Sequence, residues 1–221
     1  MKNTIWRVAY FLFAAMILAF SGVMLTKILP YFTFEHAKDF LGTKTDEVID
    51  KPLFITSFYV HISTSIFALV SGVFQFSTYL LRTYPKVHQT LGKIYVVSIL
   101  AFAAPSGLII ALDANGGLTS KVAFFLQSLT WWVLTYWAWQ AIEKRFFLLH
   151  TQWMLRSFAL TLAAMSLRTE SYILYYFFHT KPIETYQTVT WLSWVGNLLV
   201  IEVFIYYGLG RRLLEGREKI E

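Results

Sequence analysis

Six apolar runs dominate this chain, at about residues 6–29, 54–80, 92–112, 122–143, 152–178 and 188–208. Each is close to the roughly 20 residues an α-helix needs to cross a ~30 Å hydrocarbon layer. Composition points the same way: 57% of the 221 residues are hydrophobic and only 14% are charged. A water-soluble domain of this size could not cover so much apolar surface, so the solvent is lipid. The expected fold is all-α: a polytopic integral membrane protein of six transmembrane helices, with helices two to five as a four-helix core, in one domain over 1–221.

The first run follows Lys2 and Arg7, as the apolar part of a secretory signal would. It is too long for that role and no small-x-small cleavage site follows it, so it reads as a retained helix. Pro105, within Ala104-Pro105-Ser106-Gly107, should kink or loosen the third helix. Packing must then satisfy the carbonyl that proline leaves without a donor. Asn115-Gly116-Gly117 reads as the turn between helices three and four rather than as a nucleotide-binding loop. The chain has no cysteine, which excludes disulfides, thiolate metal sites and thiol catalysis.

The formal charge of +6 does not call for nucleic acid, because the basic residues cluster in short loops. Lys2 and Arg7, Arg82 and Lys86, Lys144 and Arg145, and Arg211, Arg212, Arg217 and Lys219 all fall at one end of the expected bundle. The first loop instead carries Glu35, Asp39, Asp46, Glu47 and Asp50. By the positive-inside rule both termini are cytoplasmic and the chain is a multi-pass protein of the cell membrane. Trp6, Trp191 and Trp194 fit an interfacial aromatic belt.

Polar residues within the runs are the candidates for function. Eighteen residues make five helical turns and about 27 Å, so His150 and Arg168 fall on one line of helix five, at opposite ends. Met154, Ser157, Thr161 and Ala164 lie between them. Helix two has a similar stripe in His61, Ser65, Ala68, Gly72 and Gln75, and helix three has His88, Gly92, Tyr95, Ile99, Phe102 and Ser106. The small residues let helix backbones approach closely. Ionisable groups cost at least about 2.5 kcal/mol in lipid and therefore face partners. An outer site of His61, Arg168 and Glu170 follows, read either as a polar clamp between helices or as a binding site.

At the basic end, Arg82-Thr83-Tyr84-Pro85-Lys86-Val87-His88 leads into helix three and Arg145-Phe146-Phe147-Leu148-Leu149-His150 into helix five. The parallel suggests a weak repeat of two helix pairs that brings His88 and His150 to similar depth. Two such histidines suit the axial positions of one haem b, or two ligands of a metal ion. Arg156, Lys93 and Gln75 would line that site, and Glu202 of helix six would pair with Arg156 if the helices pack together. The bland alternative for the histidines is a tolerated interfacial polar residue, and for Glu202 a carboxylate reaching the headgroups.

The stretches "YVHISTSIFALVSGVFQF", "VHQTLGKIY" and "LLHTQWMLRSFALTLAAMSLR" resemble the pattern of a membrane family known as domain of unknown function 2306, over about residues 54–170. The matching positions are His61, Gly72, Gln75, Phe76, His88, Gly92, Lys93, Tyr95, His150, Trp153, Met154, Arg156, Ser157 and Arg168. Gln89 and Thr151 stand where the pattern usually has arginine, and Lys93 also replaces an arginine, which leaves Arg156 as the main candidate for an anion clamp. The architecture is also loosely similar to the transmembrane cytochromes b that pass electrons from ascorbate. Those carry a second histidine pair on helices two and four, and helix four here has no histidine.

Two functions remain open at this point. One is a haem- or metal-binding membrane protein of redox type, with a redox partner or a quinone. The other is a cofactor-free transporter or partner subunit whose polar stripes carry a small solute or only pack helices.

Overall fold

The computed structural model describes residues 2–33 and 40–215, with side chains from residue 8 onward. Glu35, Asp39, Arg217 and Lys219, and the side chains of Lys2, Trp6 and Arg7, lie outside the described residues. Among the described residues the chain is helical, with no strand. Its long elements are α1 (Lys2–Ile28), α2 (Pro52–Phe74), α3 (Pro85–Ala111), α4 (Gly117–Glu143), α5 (Phe147–Thr161), α6 (Ala163–Phe178) and α7 (Pro182–Tyr206), followed by the short α8 (Leu209–Leu214). Pro52, Pro85 and Pro182 each open a helix at its first position. There the missing N–H costs nothing, because the first N–H groups of a helix have no partner anyway.

Four segments among the described residues are long and apolar enough to cross a membrane: Val8–Thr33, Pro52–Phe74, Pro85–Ala111 and Pro182–Tyr206. The other two expected runs differ for physical reasons. α4 is 27 residues long but carries tryptophan, tyrosine, serine, threonine and glutamine along its length, which lowers its hydropathy. The run at 152–178 is divided at Leu162 into α5 and α6. The single line from His150 to Arg168 is therefore interrupted at that break.

α3 carries the irregularity expected at Pro105. Residues Ser98–Ala103 form a wide π-turn, in which the Ala104 N–H reaches the Ile99 carbonyl five residues back. In that register Pro105 would have served Leu100, and it has no N–H to give. Trp132 of α4 supplies the donor instead, its Nε1–H lying 3.1 Å from the Leu100 carbonyl. Ser106 caps the Phe102 carbonyl at 2.6 Å and the Ala103 carbonyl at 3.1 Å. The loosened segment is thus held by side chains from within α3 and from its neighbours.

α4 packs between α3 and α5, α2 lies on α3, and α7 covers α4, α5 and α6. The core includes Val73, Tyr95, Ile99, Ala138 and Phe158, but also Ile17 of α1 and Trp194 of α7. It is therefore not confined to helices two to five. Trp194 is 8% exposed and belongs to that core rather than to an interfacial belt. α1 is tied in by the Tyr10 hydroxyl, which donates to the Val73 carbonyl at 3.0 Å. Val73 lies in the last turn of α2, where carbonyls have no partner within the helix.

Away from the basic loops, the first loop clasps the turn between α3 and α4. Lys44 Nζ donates to the Asp113 carbonyl at 2.6 Å and to Asn115 Oδ1 at 2.8 Å. Lys51 pairs with the Asp113 carboxylate at 3.0 Å. Gly116 and Gly117 make the expected turn at φ +84° and +74°, backbone angles that disfavour a side chain. Burial holds the Lys44 amine down to about 8, against the pull of Asp113 and together with the repulsion of Lys121.

Candidate functional site

The residues of the family-like motifs come together where α2, α3 and α5 meet. A methyl group at Gly72 would stand 2.6 Å from the Phe158 ring and 2.7 Å from the Tyr95 ring. On α3, a methyl at Gly92 would stand 2.9 Å from Gln75 Oε1. Gln75 in turn directs its amide to the His88 carbonyl at 3.4 Å. Phe76 packs on Phe158 with ring centres 5.1 Å apart. Gly72, Gln75, Phe76, Gly92 and Tyr95 therefore form one joint, in which each glycine admits a specific large neighbour.

At the centre of that joint is a buried group of hydroxyls. Tyr95 Oη lies 2.8 Å from both Ser157 Oγ and Thr161 Oγ1. Thr135 Oγ1 lies 2.7 Å from Ser157 Oγ and 2.7 Å from the Trp131 carbonyl. Trp131 Nε1 donates to Thr161 Oγ1 at 3.1 Å, and Thr161 donates to the Ser157 carbonyl at 3.1 Å. Those six contacts share five hydrogens, one from each of the five side chains, so one contact always lacks a proton. The stripes of helices three and five were legible in the sequence. The contribution of α4 was not, although Trp131 and Thr135 stand four residues apart on one helical face, a spacing that could have revealed it.

At the basic end His88 and His150 are both half-buried. His150 Nδ1 lies 2.8 Å from the Ala138 carbonyl, so α4 orients its ring. A carbonyl only accepts, so Nδ1 carries the proton and Nε2 the lone pair. Arg156 makes a two-pronged ion pair with Glu202: its Nε bonds Oε1, and its Nη2 donates to Oε2 at 2.8 Å. It also lies over the Trp153 ring, 4.6 Å from the centre. The expected pairing of Glu202 is thus present, and it joins α5 to α7. Lys93 is exposed, two residues before the buried Tyr95 and so on the opposite face of α3, outside the group it was expected to join.

The outer cluster does not assemble. His61 Nδ1 lies 2.8 Å from the Ala103 carbonyl in the wide turn of α3, and its ring packs beside Gly107. Arg168 Nη1 donates to the Ala164 carbonyl one turn back on its own helix, at 2.8 Å. Glu170 was one of the partners expected for Arg168, beside an outer-loop hydroxyl or a bound anion. Two residues apart on a helix, Arg168 and Glu170 stand about 200° around the axis from each other. Glu170 faces a crevice toward α1 and α7 instead. Among the described residues, no three histidines, aspartates or glutamates lie together as a metal cluster.

Apolar helices of spanning length, with polar side chains turned to a shared interior, define a polytopic α-helical membrane protein. The model of the family described as predicted membrane protein (DUF2306) matches residues 58–205, more than half of the chain. The protein belongs to that family. No curated protein and no solved structure matches the chain.

Proposed function

We propose that the protein crosses the cell membrane six times as a single helical unit, with both termini in the cytoplasm, and that His88 and His150 bind one haem b at the cytoplasmic end. The observation that carries this reading is the His150–Ala138 bond, which fixes the tautomer whose Nε2 can ligate iron. The donor set favours haem over a bare metal ion. A protein-held metal ion usually needs three or four protein ligands, whereas one or two histidines would be enough to hold a haem. When bound, haem would supply one-electron chemistry, exchanged with a membrane redox partner or a quinone. The chain's own contribution is orientation: Ala138 sets the His150 ring, and Gln75 braces the His88 backbone.

The absorption spectrum of the purified protein tests this. A sharp Soret band, lost in His150→Ala and in His88→Ala and no further reduced in the double variant, is the expected outcome. A colourless protein after expression with haem supplied rejects it. A second reading then stands, a cofactor-free transporter or partner subunit. It is favoured by Arg156, the main anion clamp expected from the sequence, already being held by Glu202.

A further inference from the structure

The break between α5 and α6 opens a crevice of about 280 Å³ toward α1 and α7. Asn197 of α7 bridges the break, its amide nitrogen donating to the Ala159 carbonyl at 3.0 Å and its Oδ1 accepting from Ser166 at 2.8 Å. The hydrogens facing the crevice are largely committed. Ser166 gives its hydroxyl hydrogen to Asn197, and Thr169 gives its own to the Met165 carbonyl at 3.1 Å. What remains is lone pairs: those of Ser166 and Thr169, and the carboxylate of Glu170. Glu170 Oε2 is buried and, among the described residues, accepts no hydrogen bond. The other walls are apolar, from Phe13 and Met16 of α1 and from Leu162 and Met165.

A site that offers acceptors and a negative charge, walled by hydrocarbon, complements a group that brings hydrogens and a positive charge. We propose that this crevice binds a protonated amine with an apolar body, the ammonium on Glu170 with Ser166 and Thr169, and the body against Phe13, Met16 and Met165. A carboxylate beside lipid is stabilised by a cation, and a charge-assisted hydrogen bond is about twice as strong as a neutral one. The opposite charge nearest in sequence, Arg168, cannot serve, because it stands on the far side of α6. The volume is small, so the occupant is a short alkyl or aryl amine or the amino headgroup of a lipid.

The test uses the full chain in detergent, with n-hexylammonium and 1-hexanol as probes of equal apolar body. Hexylammonium should raise the melting temperature with a dissociation constant on the order of tenfold tighter, or more, than hexanol. Glu170→Gln should lose that preference. Equal binding of the two probes by the wild-type protein overturns the proposal, even if Glu170→Gln fails to fold. A folded Glu170→Gln protein that keeps the preference also overturns it. Repeating the titration in phosphatidylglycerol nanodiscs, with and without phosphatidylethanolamine, separates the two sources of the amine. Competition by the added lipid assigns the site to a headgroup, and an unchanged constant assigns it to a free amine. The haem spectrum is independent of each of these results.

Discussion

The joint of α2, α3 and α5 and the crevice beside α6 are built from similar materials and behave differently. Both contain hydroxyls and aromatic rings. In the joint, Gly72 brings Tyr95 and Phe158 against α2, and the hydroxyls of Tyr95, Ser157, Thr161 and Thr135 satisfy one another. Beside α6 the helix breaks at Leu162, Asn197 is drawn into repairing it, and the carboxylate of Glu170 is left facing a gap. Polar atoms within a bundle stabilise packing where partners close the count. The unpartnered carboxylate of Glu170 is where the proposed amine would supply the missing partner.

The largest test of that contrast is Gly72→Ala. The two rings it would meet are 4% exposed at Phe158 and fully buried at Tyr95, and Tyr95 is held by two hydrogen bonds, so neither can yield easily. Overpacking of this kind costs about 1–3 kcal/mol. A clear drop in the thermal midpoint in detergent is expected, and an unchanged midpoint would mean that the joint is looser than described.

Tyr95→Phe probes the same joint from its polar side. It removes one hydrogen and two contacts, leaving Ser157 with Thr135 and Thr161 with Trp131. Because the group already has one contact more than it has hydrogens, the loss should stay near about 1 kcal/mol rather than two full bonds. A cost above that of Gly72→Ala would show that the hydroxyls, not the close approach, hold the joint.

Glu202→Gln at the basic end should cost less again, on the order of 0.5–1 kcal/mol. Its side chain is 47% exposed and the stacking of Arg156 on Trp153 survives the change. If the midpoint does not move, the pair contributes nothing to holding α5 on α7.

The smallest effect belongs to the loop clasp, where solvent screens the half-exposed amine, and it appears only with pH. Lys44 has a folded value of about 8 against an ordinary 10.5, lowered chiefly by burial. Between those two values the unfolded chain holds a proton that the folded chain has released, so stability should rise as the pH rises through that window. Below about 8 both states are protonated and the cost of burying the charge is present in full. The difference in melting temperature between pH 7.5 and pH 10 should therefore be more positive for the wild-type protein than for Lys44→Met. Equal differences would show that the amine is solvated.

Most of the helices, the turn at Gly116 and the need to repair Pro105 could be read from the chain, because each follows from local chemistry. Apolar length sets a helix, a glycine pair sets a turn, and a proline removes one N–H. The stripes on helices two, three and five were legible for the same reason, since a 3.6-residue repeat fixes which side chains share a face. The pairing of Arg156 with Glu202 followed from the expense of a charge in lipid, which demands a partner.

Partner choice across helices belonged to the tertiary structure. Nothing local predicts that Trp132 would serve the Leu100 carbonyl, and the shared face of Trp131 and Thr135 does not say which helices it meets, because both depend on how α4 is rotated against α3 and α5. The outer cluster failed for a related reason. His61 stands on α2 and Arg168 and Glu170 on α6, and their directions around those two helix axes send one into α3, one back along its own helix and one into the crevice. Sequence spacing determines height and face within one helix. The rotation of each helix against its neighbours is decided by packing many side chains at once, and that rotation is what separates a site from a scatter of polar residues.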